Sequence, residues 1–262
     1  MRVPFVFQKR EEQGFRLRAS GLGLQALSSL NLKTHRRLLW SGMTIRLAAS
    51  YWGEDMSTEA FMKAVQSGEA AVVSDLLSKD PSMASARDSS GISALMNALY
   101  RRHREVATAI RQAHPELDIF EAASVGDEKR LRELLGNDPG LAKAWSADGF
   151  TALHFACFFG QEAAAKLLLQ AGSDVKAVAK NPMQVMPLHS AATSRSVGIV
   201  RALLEHGAPV DAKQQQGWTA LHAAAQNGDQ EMYELLISRG ADPEMANDMG
   251  VTASDLMRKA GV

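Results

Sequence analysis

Three histidines recur at nearly constant spacing, and histidine is the side chain most often used for metal binding and for acid–base chemistry near neutral pH. His154, His189 and His222 are separated by 35 and 33 residues. If each lies in its own packed unit, neighbouring histidines are about 10 Å apart, which is one helix-packing distance. A metal ion needs its ligands within about 2–2.5 Å. The spacing therefore favours a structural role, and we expect no metal site and no cofactor.

The single cysteine is the only other candidate for reactive chemistry. Cys157 is surrounded in sequence by Phe155, Phe158 and Phe159. One cysteine excludes an intrachain disulfide and a zinc site built from several cysteines. A free cysteine usually behaves as a small buried hydrophobic residue, although a redox-sensing thiol is the alternative. The sequence also lacks phosphate-binding loops, nucleophile elbows and zinc-ligand spacings, so we predict no catalytic residues and no enzymatic activity.

The elements around the histidines repeat together with them. Residues 149–156, 187–192 and 217–224 align, and each segment is followed by an apolar run that ends in glycine. Thr151 and Thr219 stand where a helix N-cap hydroxyl is needed. The glycines suit a left-handed helix-stop position; they are Gly172, Gly207 and Gly240. A second internal repeat lies upstream, where residues 76–95 match residues 134–153 at an offset of 58 positions.

This pattern resembles the ankyrin repeat family, whose signature here reads Thr-Ala-Leu-His at 151–154 and 219–222 and Pro-Leu-His at 187–189. The resemblance implies an all-α solenoid of helix–turn–helix repeats with short hairpin-like turns. It also implies that each repeated histidine bonds to backbone in the neighbouring turn. We predict a repeat domain over 56–262 with about six and a half units, at 58–87, 88–115, 116–145, 146–178, 179–211, 212–244 and 245–262.

Several units depart from the family pattern. The second has Arg111 and His114 where leucine and glycine are usual, and the third lacks the Thr-x-Leu-His signature. The fifth has Gln184 in place of the turn glycine and Met186 in place of threonine. We therefore expect its hairpin to be distorted. The seventh unit contains no full second helix.

The resemblance also indicates where a partner would bind. In the ankyrin fold, residues beside the turn glycine and on the outer side of the first helix form a concave face that stacking does not require. Exposed apolar patches often mark binding sites. The predicted partner-binding residues are Ile92, Tyr100, Phe150, Phe158, Phe159, Val185, Trp218, Gln226 and Asn227. We predict non-catalytic protein–protein recognition. The alternatives are a redox- or ligand-responsive regulator around Cys157 and a non-catalytic subunit of an enzyme complex.

Charge divides the chain into two parts. The net charge is zero, but residues 1–53 carry nine basic and two acidic residues. We interpret 1–55 as a basic leader, either disordered or outside the native protein, with Met43 and Met56 as alternative starts to Met1. Organelle targeting, export and a functional arm are the other interpretations. Zero net charge does not favour nucleic-acid binding, and no apolar run is long enough to span a membrane. We expect a cytoplasmic monomer that binds one or more proteins.

Overall fold

The computed structural model describes residues 57–113 and 116–260. The predicted leader and the substitution at His114 lie outside these residues. Within the described ranges the chain forms thirteen α-helices and no β-strand, which confirms the all-α prediction. Arg111 is exposed at the end of its helix, and the neighbouring Ile110 is buried in the core instead.

The helices alternate between an inner and an outer layer. The inner helices are α1 (Thr58–Ser67), α3 (Ala94–Tyr100), α5 (Ile119–Val125), α7 (Ala152–Phe158), α9 (Pro187–Thr193), α11 (Ala220–Gln226) and α13 (Ala253–Ala260). The outer helices are α2 (Ala70–Lys79), α4 (Arg104–Ala113), α6 (Glu128–Asn137), α8 (Glu162–Gln170), α10 (Val197–Glu205) and α12 (Gln230–Ser238). Short 3-10 helices cover Pro81–Ser85, Pro139–Lys143 and Gln215–Gly217.

Capping side chains determine where the inner helices begin. The hydroxyls of Ser93, Thr151 and Thr219 each accept a hydrogen bond from the backbone N–H three residues later, which would otherwise be unpaired. Helix α9 has no capping hydroxyl but has Pro187 at its first position, where the missing N–H leaves no bond unmade. The residues after α8, α10 and α12 take the predicted left-handed conformation; they are Gly172, Gly207 and Gly240.

A continuous core runs along the stack because each unit buries its apolar face against the next. Leucine at one repeat position is fully buried in four units, as Leu95, Leu153, Leu188 and Leu221. Burying such a side chain contributes about 1.5–3 kcal/mol. Alanines on the facing helices, which are equally buried, allow the close approach of α7 to α9 and of α9 to α11.

Five short hairpin turns project from the inner helices, and we call them fingers. They cover residues 88–92, 146–150, 179–185, 214–218 and 247–251, and in each the first residue's N–H donates to the last residue's carbonyl. Gln184 adopts the left-handed region with φ of 50°, so it replaces the expected glycine without opening the turn. The distortion expected at the fifth unit takes another form: this finger is two residues longer than the others.

The third unit shows no finger among the residues that the structure describes. Residues 80–93 connect α2 to α3, and residues 138–151 connect α6 to α7, each connection containing a finger. Only residues 114–118 connect α4 to α5. A finger with its flanking bridge needs the seven residues from Arg87 to Ser93. The fingers at 88–92 and 146–150 are therefore neighbours with one position of the array missing between them.

Candidate functional site

The repeated histidines tie the start of each inner helix to backbone in or just before the next finger. The Nδ1 atom of His154 accepts the N–H of Thr151 at 3.2 Å, and its Nε2 atom donates to the carbonyl of Val185 at 3.1 Å. The other two histidines make the same pair of bonds, His189 with Met186 and Ala212, and His222 with Thr219 and Val251. Both ring nitrogens are thus used by the backbone, which leaves none for a metal ion.

Burial keeps these histidines neutral. Loss of hydration lowers the pKa of His154 to about 4, and it lowers the pKa values of His189 and His222 as well. Across the described ranges, the His, Cys, Asp and Glu residues form no group that could hold a metal ion. The geometry therefore gives the three histidines a structural function.

Cys157 lies inside α7 and is fully buried. Burial raises the pKa of its thiol far above the usual value. Redox-sensing cysteines are accessible and have lowered pKa values, because the thiolate is the reactive form. The environment of Cys157 is the opposite, so it favours a packing role over the alternative of a redox-responsive regulator.

Four of the predicted binding residues meet in one aromatic cluster. This aromatic cluster consists of Tyr100, Phe120, Phe150, Phe155, Phe158 and Phe159. Tyr100 comes from the second unit, yet its ring lies 6.3 Å from Phe155 and 6.2 Å from Phe159, both in the fourth unit. Phe120, from the finger-less third unit, meets Phe155 edge-on at 6.0 Å. Sequence reasoning missed Phe120 and Phe155 as members of this cluster.

Members of the aromatic cluster differ in exposure. Phe158 is 41% exposed and packs edge-on against Phe159 at 5.1 Å. Phe150 was predicted to lie on a face that stacking does not require, but it also packs against the core. Its ring lies 5.7 Å from the buried ring of Phe155, and it is half-buried against the core together with Ile92 and Tyr100. A residue at this turn position can therefore pack against the core and still expose part of its ring to solvent.

The remaining predicted residues lie apart from the aromatic cluster. Trp218 is half-buried with its ring 5.4 Å from that of His222. Gln226 is exposed at the end of α11, and the carbonyl of Asn227 accepts a bond from the Arg195 guanidinium. Val185 contributes its backbone carbonyl to the histidine bonding described above. The described contacts do not connect these residues with Tyr100 or the phenylalanines.

Two exposed methionines extend the apolar surface along the fingers. Met183 lies in the finger at 179–185 and is 38% exposed, and Met249 lies near the tip of the last finger and is 63% exposed. Sequence reasoning missed both residues because it compared positions beside the turn glycine and not the tips. Flexible methionines are frequent on surfaces that bind proteins.

A cavity of about 240 Å³ lies where the third finger would be. Its walls come from the fingers at 88–92 and 146–150, and Phe120 and Phe155 contribute aromatic surface. Arg87 pairs with Asp118 at 2.8 Å across one side. On another side, the Tyr100 hydroxyl donates to Asp148, 48 residues away in sequence. Burial raises the pKa of Tyr100 well beyond its usual value, and the neighbouring carboxylate adds to this effect, so the hydroxyl remains protonated.

A family model for ankyrin repeats, three copies long, matches residues 119–214 and 178–247. This chain belongs to the ankyrin repeat family. Because such repeats mediate protein–protein interactions, the ankyrin array has a general role in protein binding. The family model begins at the third unit, and the two upstream helix pairs continue the same arrangement of inner and outer helices.

The ankyrin array is similar to segments of several curated proteins. Residues are 38% identical over 77 positions to protein phosphatase 1 regulatory subunit 27 of Mus musculus, covering 29% of this chain and 50% of that protein. The chain is also 38% identical over 100 positions to the B-cell lymphoma 3 protein homolog of Mus musculus, and this match covers 38% of this chain and 22% of that protein. A Caenorhabditis elegans homolog of transient receptor potential cation channel subfamily A member 1 is 30% identical over 161 positions, covering 62% and 13%. The matches thus span half or less of each of these relatives.

No helix in the described ranges is long and apolar enough to cross a membrane. The longest helices in the part of the chain that the structure describes have ten residues, and a membrane-spanning helix needs about twenty.

Proposed function

We propose that the ankyrin array over residues 56–262 is a non-catalytic, monomeric protein-binding module that contacts its partner through the concave face. The observation that carries this proposal is the exposed aromatic Phe158 at the end of inner helix α7. Phe158 is the only aromatic residue among the exposed large hydrophobic side chains of the described ranges. Leaving such a ring in water is unfavourable, and aromatic residues are frequent hot spots of protein interfaces.

Other surface features support the same face. Trp218 and the exposed Gln226 belong to the sixth unit. Met183 lies on the finger at 179–185, and Met249 lies on the finger at 247–251. Backbone hydrogen bonds between successive fingers hold this row in place. The backbone N–H of Lys180 donates to the carbonyl of Gly149, and the backbone N–H of Asp248 donates to the carbonyl of Gln216. A rigid row loses little conformational entropy on binding, which favours affinity.

The test is affinity capture with the full chain and two matched variants. Phe158→Ala removes the exposed aromatic ring, and Val72→Ala removes an equally exposed side chain, 44%, from outer helix α2. We expect both variants to keep the unfolding midpoint of the parent. Phe158→Ala should weaken binding of a captured partner about thirtyfold, and Val72→Ala should not. Equal loss in both variants, or undiminished binding by Phe158→Ala, would contradict the concave face as the site.

A second candidate function is that of a non-catalytic subunit of an enzyme complex. It is favoured by the similarity to protein phosphatase 1 regulatory subunit 27 over 77 residues. The experiment is gel filtration of the chain with purified protein phosphatase 1 catalytic subunit. A stoichiometric complex whose formation requires Phe158 would support this candidate, and separate elution at micromolar concentrations would contradict it.

A further inference from the structure

The cavity at the missing finger is a built feature of the tertiary structure. The fingers at 88–92 and 146–150 meet at their tips, where a Cβ atom added to Gly91 would lie 3.1 Å from the Cβ atom of Ala147. This recess is lined by residues of these two fingers and by Asp118, Phe120 and Trp145 of the third unit, which contributes no finger between them.

The size of the recess suits one side chain. Its volume is about 240 Å³, whereas sites for drug-sized ligands and cofactors occupy about 300–1,000 Å³. The recess is therefore small for a nucleotide or a cofactor. In protein interfaces, single hot-spot side chains of one partner are often buried in pockets of the other.

Three aromatic residues are among those that line the recess. Phe120 and Phe155 face it with their rings 6.0 Å apart and nearly perpendicular, and Trp145 forms another wall. The amino group of Lys180 lies 4.3 Å from the centre of the Trp145 ring. The indole at the edge of the recess is thus already placed against a cation, because the electron-rich face of an aromatic ring attracts positive charge.

The charged groups leave one carboxylate without a cation. Arg87 is already paired, since it donates to Asp118 at 2.8 Å and to the carbonyl of Gly91 at 3.0 Å. Asp148 accepts hydrogen bonds from the hydroxyls of Tyr100 and Ser146. Within residues 57–113 and 116–260, no lysine, arginine or histidine forms an ion pair with Asp148. The residues that line the recess therefore carry one net negative charge, and the Lys180 ammonium lies outside this lining, against the Trp145 ring.

We infer that the recess is an anchor pocket for one arginine side chain of the partner protein, with the guanidinium against the aromatic wall and directed to Asp148. This inference rests on the proposed function and adds the chemistry of the contact. Arginine fits better than lysine because its planar group stacks on aromatic rings and donates several hydrogen bonds to a carboxylate in a fixed geometry. A neutral side chain would leave Asp148 partly desolvated without a compensating charge.

The test is an NMR titration of the full chain with N-acetyl-arginine methylamide. The control probe is the citrulline analogue, which has nearly the same shape but no charge. We expect the arginine probe to shift the indole signal of Trp145 and the amide signals of 146–149. The citrulline probe should bind at least tenfold more weakly. Equal binding of the two probes, shifts confined to other units, or no shifts at all would overturn the inference.

Two variants and a control locate the binding. Asp148→Asn removes the charge, and Ala147→Arg places a long cation at the exposed, cavity-lining position of the same finger. Both variants should bind the arginine probe at least tenfold more weakly than the parent chain. Asp248→Asn, at an exposed carboxylate on the last finger, should not. If Asp148→Asn disturbs the fold through its bonds to Tyr100 and Ser146, the affinity of the Ala147→Arg variant for the probe decides whether the pocket binds arginine. Unchanged affinity in Ala147→Arg would overturn the inference.

Failure of this inference can be distinguished from failure of the proposed function. If partner capture depends on Phe158 but the arginine probe leaves the signals of 146–149 unchanged, the concave face binds its partner without this pocket and the inference is wrong. If the probe binds in the recess and also competes with a captured partner, the inference is supported. If the probe binds but capture does not depend on Phe158, the pocket stands and the proposed face is wrong.

Discussion

The fingers of the ankyrin array are held in two different ways on the two sides of residue 146. From the fourth unit onward, backbone bonds join each finger to the next, with Lys180 donating to Gly149 at 2.8 Å and Asp248 donating to Gln216 at 3.0 Å. Between the second and fourth units, a side-chain bond from Tyr100 to Asp148 takes this place, and beside it Arg87 pairs with Asp118 of the third unit.

The difference follows from the missing finger. A finger next to a regular neighbour can satisfy its backbone groups by repetition, and almost any side chain is compatible with those bonds. A finger without a regular neighbour depends on particular side chains to span the wider space. We therefore expect the regular part, 146–251, to respond to loss of its histidines, and the irregular part, 88–145, to respond to loss of its unique polar pairs.

Acidification should have the largest effect and should act first on the regular part. The pKa of His154 is about 4 in the folded chain, against about 6.5 when unfolded. Between these values the unfolded chain binds the extra proton, so stability falls as the pH decreases from about 6.5 to 4. His154 alone contributes a loss of about 3 kcal/mol. The protection of backbone amides from hydrogen exchange, compared at pH 7 and pH 4.5, measures this loss of stability.

We expect protection to be lost sooner at 150–225 than at 60–112, because the buried histidines lie in the former range. Equal loss of protection in both ranges would contradict the assignment of the effect to the histidines.

Removing one histidine should have the next largest effect. His189→Ala deletes the bond from Met186 and the bond to the Ala212 carbonyl at 2.8 Å, in a unit that lacks a capping hydroxyl. We expect a loss of about 2 kcal/mol in the free energy of unfolding. His206→Ala is the control, since His206 is exposed and bonds only within its own helix end. A stabilisation by added divalent metal that disappears in His189→Ala would show that the histidine is a ligand after all.

In the irregular part, Tyr100→Phe should destabilise by about 1–2 kcal/mol. The variant keeps the ring but removes the hydroxyl that bonds to Asp148, leaving a half-buried carboxylate with one partner fewer. Tyr233→Phe is the matched control on outer helix α12, where the ring packs against the core. Urea denaturation of the two variants makes the comparison. Equal midpoints would mean that the side-chain pair does not replace the missing finger.

The smallest expected effect is a stabilisation. Arg102 adopts a left-handed conformation with φ of 60°, at the junction between α3 and α4 where Gly68 and Gly126 stand in other units. Arg102→Gly should relieve this strain, and after the greater freedom of glycine in the unfolded chain is subtracted, we expect a gain of about 0.5 kcal/mol. Arg102→Ala keeps the strain and should give no gain. A loss in the glycine variant would show that the arginine makes a stabilising contact.

The sequence by itself determined the repeat, the all-α class and the family. These features could be predicted because they depend on local rules that recur along the array: a hydroxyl at the helix start, a buried leucine, and a histidine at a fixed position. The resemblance to the ankyrin family, and not these rules, implied that His154, His189 and His222 bond to backbone. The same resemblance implied that Tyr100, Phe158 and Phe159 lie on a common face.

Only the tertiary structure decided what happens where the repeat is broken. Nearest-neighbour rules describe a unit by the units beside it, but a missing finger brings the second unit against the fourth. The contacts of Tyr100 with Asp148 and Phe155, and the recess over Phe120, join residues that no repeat spacing relates. The burial of Phe150 has the same cause, because its surroundings depend on how far the flanking fingers can approach each other.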